Sequence, residues 1–211
     1  MAMLKGLFIT VVAVFALVGA CALAAGLWFM NGGINSKQQP GPTETTIARK
    51  LRSAAIPDRA KKTGNPVRPT PDVLEAGMAH FADHCASCHG NDGGADTEIA
   101  RGLYPKVPDM RKPDTQGLSD GELFYIIENG VRLTGMPAWG TGTPEGAEAS
   151  WALVHFIRHL PDLTDAELEK MKAMNPKSAD EWREEDEARR FLEGGDSSPK
   201  KPAAGPHKHG G

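Results

Sequence analysis

Three reactive side chains stand within five positions in Cys85-Ala86-Ser87-Cys88-His89, and Gly90 follows at once. On a continuous helix, positions 85, 88 and 89 fall at i, i+3 and i+4 and share one face. Two thiols and an imidazole so placed match the attachment site of a c-type haem. The thiols bond to the porphyrin's vinyl groups and the imidazole ligates the iron. A fold built on this stretch must leave space for a planar macrocycle. Other uses of Cys-x-x-Cys fit less well. A closed zinc site takes four ligands, and the chain has three cysteines in all, without a second pair. A redox dithiol belongs beside a βαβ pattern, and nothing upstream reads as a buried strand.

The amino-terminal part supplies the second constraint. Residues Leu7 to Met30 carry no charged side chain and end with Trp28 and Phe29, aromatics suited to a membrane interface. As a helix rising about 1.5 Å per residue this stretch would cross a hydrocarbon core of about 30 Å. Residues 1–30 therefore read as a membrane anchor, with Lys5 favouring a cytoplasmic amino terminus. Two rival readings use the same residues: signal-peptide cleavage after Ala22-Leu23-Ala24, and lipidation of Cys21 in Val18-Gly19-Ala20-Cys21. Apolar sequence continues past both candidate cuts, which favours the uncleaved anchor. Haem attachment normally occurs outside the cytoplasm, which supports the same orientation.

Charge separates the next two segments. Residues 31–71 hold eight basic and two acidic side chains, whereas residues 72–160 hold six basic and 13 acidic ones. The first segment is also rich in Gly, Pro, Ser and Thr, and reads as a flexible, solvated linker; within it Ile47, Leu51 and Ala55 recur at helical spacing before Pro57. Its basic charges could favour anionic headgroups outside the span. No concentrated basic face marks a nucleic-acid site.

From residue 72 the pattern is helical. Thr70-Pro71-Asp72 supplies a cap, a first-turn proline and a first-turn acid. Leu74, Gly77 or Met78, Phe81 and Cys85 then follow on one face. Proline density across Tyr104 to Arg111 forbids a long helix. Ser119 and Glu122 form a capping box, and Gly130 closes that helix. Thr143-Pro144-Glu145 opens an amphipathic helix ending at Pro161. Thr164 with Glu167, and Ser178 with Glu181, open two smaller helices in an extension covering 161–194. Residues 195–211 read as a disordered, His-containing tail. No repeat and no convincing strand is present, so the fold class is all-α.

In this order the stretch 72–160 resembles a class I monohaem cytochrome c: a helix, Cys-x-x-Cys-His, a proline-rich loop, a helix, a Met-Pro loop and a closing helix. The resemblance implies a cytochrome c-like helical domain in which Gly77 and Phe81 pack against Leu153 and Phe156. It implies one covalent haem on Cys85 and Cys88, with His89 as proximal and Met136 as distal iron ligand. A proline carbonyl between residues 105 and 108 would accept a hydrogen bond from the His89 ring, and spacing alone does not choose which.

The residues themselves also point to Met136. A thioether is a soft ligand with no proton to lose, and His/Met ligation raises the potential of a six-coordinate iron. Met136 lies in the short apolar loop Gly135-Met136-Pro137-Ala138-Trp139-Gly140, where Pro137 restricts it. Met110, between Asp109 and Arg111, is its competitor. Tyr104, Arg111 and Trp139 are further candidates for haem contacts. His80, His84, His155 and His159 form helical i, i+4 pairs, a spacing that can hold metal but is more often a solvated face. His207 and His209 in the tail could bind copper or nickel weakly.

The expected function is electron transfer, not catalysis: a saturated iron has no open position, and no small-molecule substrate is expected. Its partners would be protein donors and acceptors, with the haem domain facing the periplasm from a bacterial cytoplasmic membrane. A haem subunit of a dehydrogenase or peroxidase-like enzyme, and a metal-handling protein acting through the His tail, are the alternatives.

Overall fold

The computed structural model describes residues 2–32, 35–177 and 179–192, and among them there is no strand. Helix α1, Ala2–Gly32, contains the apolar stretch; its window Lys5–Trp28 is long and apolar enough to cross a membrane. After it come α2 (Pro42–Ala55), α3 (Asp58–Lys61) and α4 (Pro71–His80). A π-turn, Phe81–Cys85, leads into α5 (Ala86–His89). Two short helices, α6 (Glu98–Gly102) and α7 (Pro113–Gln116), interrupt the proline-rich region. The chain continues with α8 (Asp120–Asn129), α9 (Pro144–His159), α10 (Asp165–Met174) and α11 (Ala179–Leu192).

Local chemistry sets most of these boundaries. The side chains of Thr70, Ser119, Thr143 and Thr164 each accept the backbone N–H that a first helical turn leaves unpaired. Ser119 with Glu122 and Thr164 with Glu167 form complete capping boxes. Gly130, at φ +64°, ends α8 in a conformation that disfavours a Cβ.

The core forms where α4 crosses α9. Phe81 and Phe156 are fully buried, with ring centroids 5.2 Å apart. A Cβ added to Gly77 would meet the Ala152 carbonyl oxygen at 2.3 Å and Phe156 Cβ at 3.1 Å, so the two helices touch through backbone at this point. Phe124 stacks on Trp151 at 4.0 Å and joins α8 to α9. Arg158 pins the end of α9: its Nε donates to Asp120 Oδ1 at 2.9 Å and its Nη1 to the Gln116 carbonyl at 2.7 Å, while Nη2 donates to the Leu118 carbonyl.

The segment expected to be a solvated linker departs from that expectation. Its helix is longer than three apolar positions suggested, and the chain after it docks on α8 and α9. Ile56 is buried. Asn65 Nδ2 donates to the Trp151 carbonyl at 2.9 Å, and His155 Nε2 lies 2.8 Å from the Val67 carbonyl oxygen. Gly121 on α8 admits the α3 backbone so closely that a Cβ there would lie 1.9 Å from the Ala60 carbonyl oxygen. The composition is polar because these contacts use backbone carbonyls and amides, which leave no hydrophobic pattern.

Part of the carboxy-terminal extension is docked too. Met171 on α10 is fully buried in the same core, and Lys170 pairs with Glu75 of α4 at 2.7 Å. Helix α11 begins at Ala179, its expected cap Ser178 lying outside the described residues, as does the tail 195–211.

Candidate functional site

Helix α4 does not run unchanged into the cysteine pair. At Phe81 the hydrogen bonding widens to a π-turn, and the Ala86 N–H reaches back to the Phe81 carbonyl. One extra residue per turn rotates everything downstream, a local device common at functional sites. Cys85 and Cys88 are free thiols, both half-buried, and His89 is buried. Gly90, at φ +72°, turns the chain sharply after α5, and the loop folds back on it. The Ala95 N–H donates to the His89 carbonyl at 2.7 Å, and Thr97 Oγ1 to the Cys88 carbonyl at 3.2 Å.

The imidazole has a defined surrounding. Burial pushes the His89 pKa down to about 4, opposed by the Pro108 carbonyl, which faces the ring and favours its protonated form. His89 Nδ1 is nonetheless buried without a hydrogen-bond partner, so the Pro108 contact falls short of a formed hydrogen bond. Among the prolines from 105 to 108, Pro108 is thus the one beside the ring. It is held there by its own segment: Met110 N–H donates to the Gly93 carbonyl at 2.8 Å, and Arg111 bridges Asp92 at 2.7 Å and Asp109 at 2.9 Å. Burial, and secondarily the neighbouring Cys88, pushes the Cys85 thiol up to about 12.

Met136 sits half-buried in a loop with little freedom. Its carbonyl accepts from Val131 N–H at 3.1 Å, and its own N–H donates to Thr134 Oγ1 at 3.1 Å. Trp139 and Gly140 N–H groups bond back to the Ile127 and Glu128 carbonyls at 3.0 and 3.1 Å. Ser150 secures Glu128 from α9 at 2.6 Å. The loop also touches both segments flanking the Cys-His motif. Trp139 packs edge-on against His84, with centroids 5.3 Å apart. On the other side the Leu103 side chain fills the space next to Gly135, 2.8 Å from where a Cβ would stand. The structure therefore brings Cys85, Cys88, His89 and the Met136 loop into one neighbourhood.

The competitor differs. Met110 is buried in the main core, and its carbonyl accepts from Gln116 Nε2 at 2.8 Å. Of the further candidates, Trp139 lines the Met136 loop, the Tyr104 hydroxyl donates to Glu44 of α2, and Arg111 is committed to its two aspartates. The helical histidines have separate partners. His80 and His84 meet each other edge-on at 5.0 Å, and His159 Nε2 lies 2.9 Å from Glu167 Oε1. Among the described residues no group of three or more His, Cys, Asp or Glu side chains is placed to hold a metal ion. His207 and His209 lie outside the described residues. Which proline faces His89, and the π-turn, went unseen in the sequence, the first because Pro105 and Pro108 share one stretch, the second because no residue pattern signals it.

A haem fits this donor set. Two free thiols and a buried, uncharged imidazole rise from one turn of helix, and the imidazole lies beside the Pro108 carbonyl. Residues 72–157 match the family model described as cytochrome c oxidase, cbb3-type, subunit III. No curated protein matches the chain. Among solved structures, a chain of the reducing HAO-like protein complex of Kuenenia stuttgartiensis is similar, with 24% identity and a TM-score of 0.41, over 45% of this chain and 46% of that one. The motif, its helical setting and the family match agree: residues 72–157 are a monohaem c-type cytochrome domain, and its cofactor is a covalently bound, iron-containing c-type haem.

Proposed function

We propose that this protein is a membrane-anchored electron carrier in which Cys85 and Cys88 carry the thioether bonds, His89 is the proximal ligand and Met136 the distal one. Bound iron supplies a one-electron couple between its ferric and ferrous states. The observation that carries the reading is the double attachment of the Met136 loop, to His84 on one side and to Leu103 on the other. Both attachments adjoin segments that hold the Cys-His motif, so the sulfur is offered from a preset position.

The chain's own residues do the rest. Burial keeps His89 uncharged, the form a metal ligand needs, and the nearby Pro108 carbonyl is the acceptor that a small shift of the ring would engage. Leu103 and Trp139 close the two sides of the Met136 loop and limit entry of water. A six-coordinate iron leaves no position for substrate, so the haem domain serves protein donors and acceptors. Helix α1 anchors it in a bacterial cytoplasmic membrane with the domain on the periplasmic side.

A redox titration of the full chain followed by its visible spectrum tests this. A single one-electron wave, with a ferrous form that does not take up carbon monoxide at neutral pH, is expected. Ready carbon monoxide binding would show an open iron and replace electron carriage with ligand chemistry.

A further inference from the structure

Helix α2 is docked the wrong way round for a helix that belongs to a protein core. Arg49 pairs with Asp114 of α7 at 2.5 Å, and Thr45 and Arg52 are half-buried. Ile47 and Leu51 are 53% and 65% exposed. At about 100° per residue these two lie about 40° apart, and Arg49 falls about 160° from each. Ala48, Ala54 and Ala55 extend their stripe and are exposed as well. The Arg49 side of α2 thus faces the domain while Ile47 and Leu51 are turned outward; in the first turn Glu44 falls on the same side as these two and accepts from the Tyr104 hydroxyl.

The chain's own path says what lies there. Ser36 is tied to the domain, its carbonyl accepting from Lys106 Nζ at 2.9 Å. Helix α1 ends at Gly32. Four residues span at most about 14 Å when extended, so the Lys106 side of the domain stays that close to the end of α1. Charge agrees. Lys50 borders the apolar stripe, within a segment of eight basic and two acidic residues that separates the apolar helix from an acidic domain.

We infer that α2 lies on the surface of an anionic bilayer, with Ile47 and Leu51 in the boundary between headgroups and acyl chains and Lys50 among the phosphates. The inference rests on the reading of α1 as a membrane anchor. It makes α2 a two-sided adaptor, lipid on one face and haem domain on the other, in place of a free tether.

Nitroxide accessibility in the full haem-loaded chain tests it, in vesicles of phosphatidylcholine and phosphatidylglycerol and with the protein reduced. Labels are placed one at a time at Leu51→Cys and Glu148→Cys in a Cys21→Ser background, and at the native Cys21. Relaxation by oxygen relative to an aqueous nickel chelate should be several-fold higher at position 51 than at the exposed position 148. A label at 51 that behaves like the one at 148 while Cys21 reads as lipid-buried overturns the inference and leaves the anchor standing. If positions 21 and 51 both read as aqueous, anchor and inference fall together. A label at 51 shielded from both reagents would mean that protein, such as a second copy, covers the stripe, and would also overturn it.

Discussion

Gly77 and Ala152 meet backbone to backbone, the glycine's missing Cβ being the space that the Ala152 carbonyl oxygen occupies. This single approach sets the α4–α9 crossing, and that crossing carries Phe81 and the π-turn that aims the cysteines. Gly77→Ala must push the helices apart, an overpacking cost of about 1–3 kcal/mol. A lowered denaturant midpoint with an unchanged slope is expected, with less haem attached per chain because the same shift moves Cys85.

Met136 and Met110 separate two kinds of loss. Met136→Ala should abolish the sulfur-to-iron charge-transfer absorption of the ferric protein with little effect on folding, since the side chain lies in a loop outside the main core. Met110→Ala removes a buried core side chain, at about 2–5 kcal/mol, and should leave that absorption in place. The reverse pattern would transfer the axial role to Met110. Absorption spectra and urea titrations of the two variants make the comparison.

Arg158 spreads one guanidinium over Asp120 and two carbonyls at the α7–α8 turn. Arg158→Ala strands these acceptors in a half-buried place, and a loss of about 2–4 kcal/mol is expected from bonds to a charged donor. Arg158→Lys should recover only a fraction, because a point charge cannot reach three acceptors in a plane. Thermal unfolding of both variants measures this.

Gly121→Ala should release the docked segment without touching the haem. A Cβ there would collide with the Ala60 carbonyl, so α3 must leave α8. Faster amide exchange and proteolysis over residues 56–68 are expected, with an unchanged visible spectrum.

The Glu167 carboxyl is held below the ordinary glutamate range, first by the Thr164 backbone N–H, then by the Thr164 hydroxyl and by His159, against an opposing push from burial. A depressed native value means that its stabilisation of α10 is complete above the ordinary range and fades as the pH falls through the native value. Acidification should therefore loosen α10 before the haem core, visible as earlier amide exchange in 165–174. Glu167→Gln should start weaker at neutral pH and lack this acid-side step.

The parts of this fold that were legible in the sequence are those whose causes are local. Thr70-Pro71, Ser119 with Glu122, Thr143-Pro144 and Thr164 with Glu167 announce helix starts because a cap is made within four residues. The cysteine pair and His89 announce a haem because the motif is itself contiguous. What stayed hidden depends on partners far along the chain. Asn65 meets Trp151, Ala60 meets Gly121, and Tyr104 meets Glu44, so a polar stretch that reads as solvated is held by partners far along the chain. Choosing Pro108 over its neighbours needed the fold of the 89–94 loop. That Met110 is buried in the core while Met136 is half-buried in its loop is likewise something composition does not carry.

The bond between Ser36 and Lys106 has a consequence for how electrons would be exchanged. A carrier on a long, loose leash samples a deep shell of solution, and its partners are free to present their redox centres at many elevations. If α1 is the anchor proposed above, the leash is effectively the few residues after Gly32, and the carrier would glide in a thin layer. On that reading its donor and acceptor would have to offer their centres at matching heights above the bilayer, and the rate of exchange would become a matter of lateral encounter within a plane.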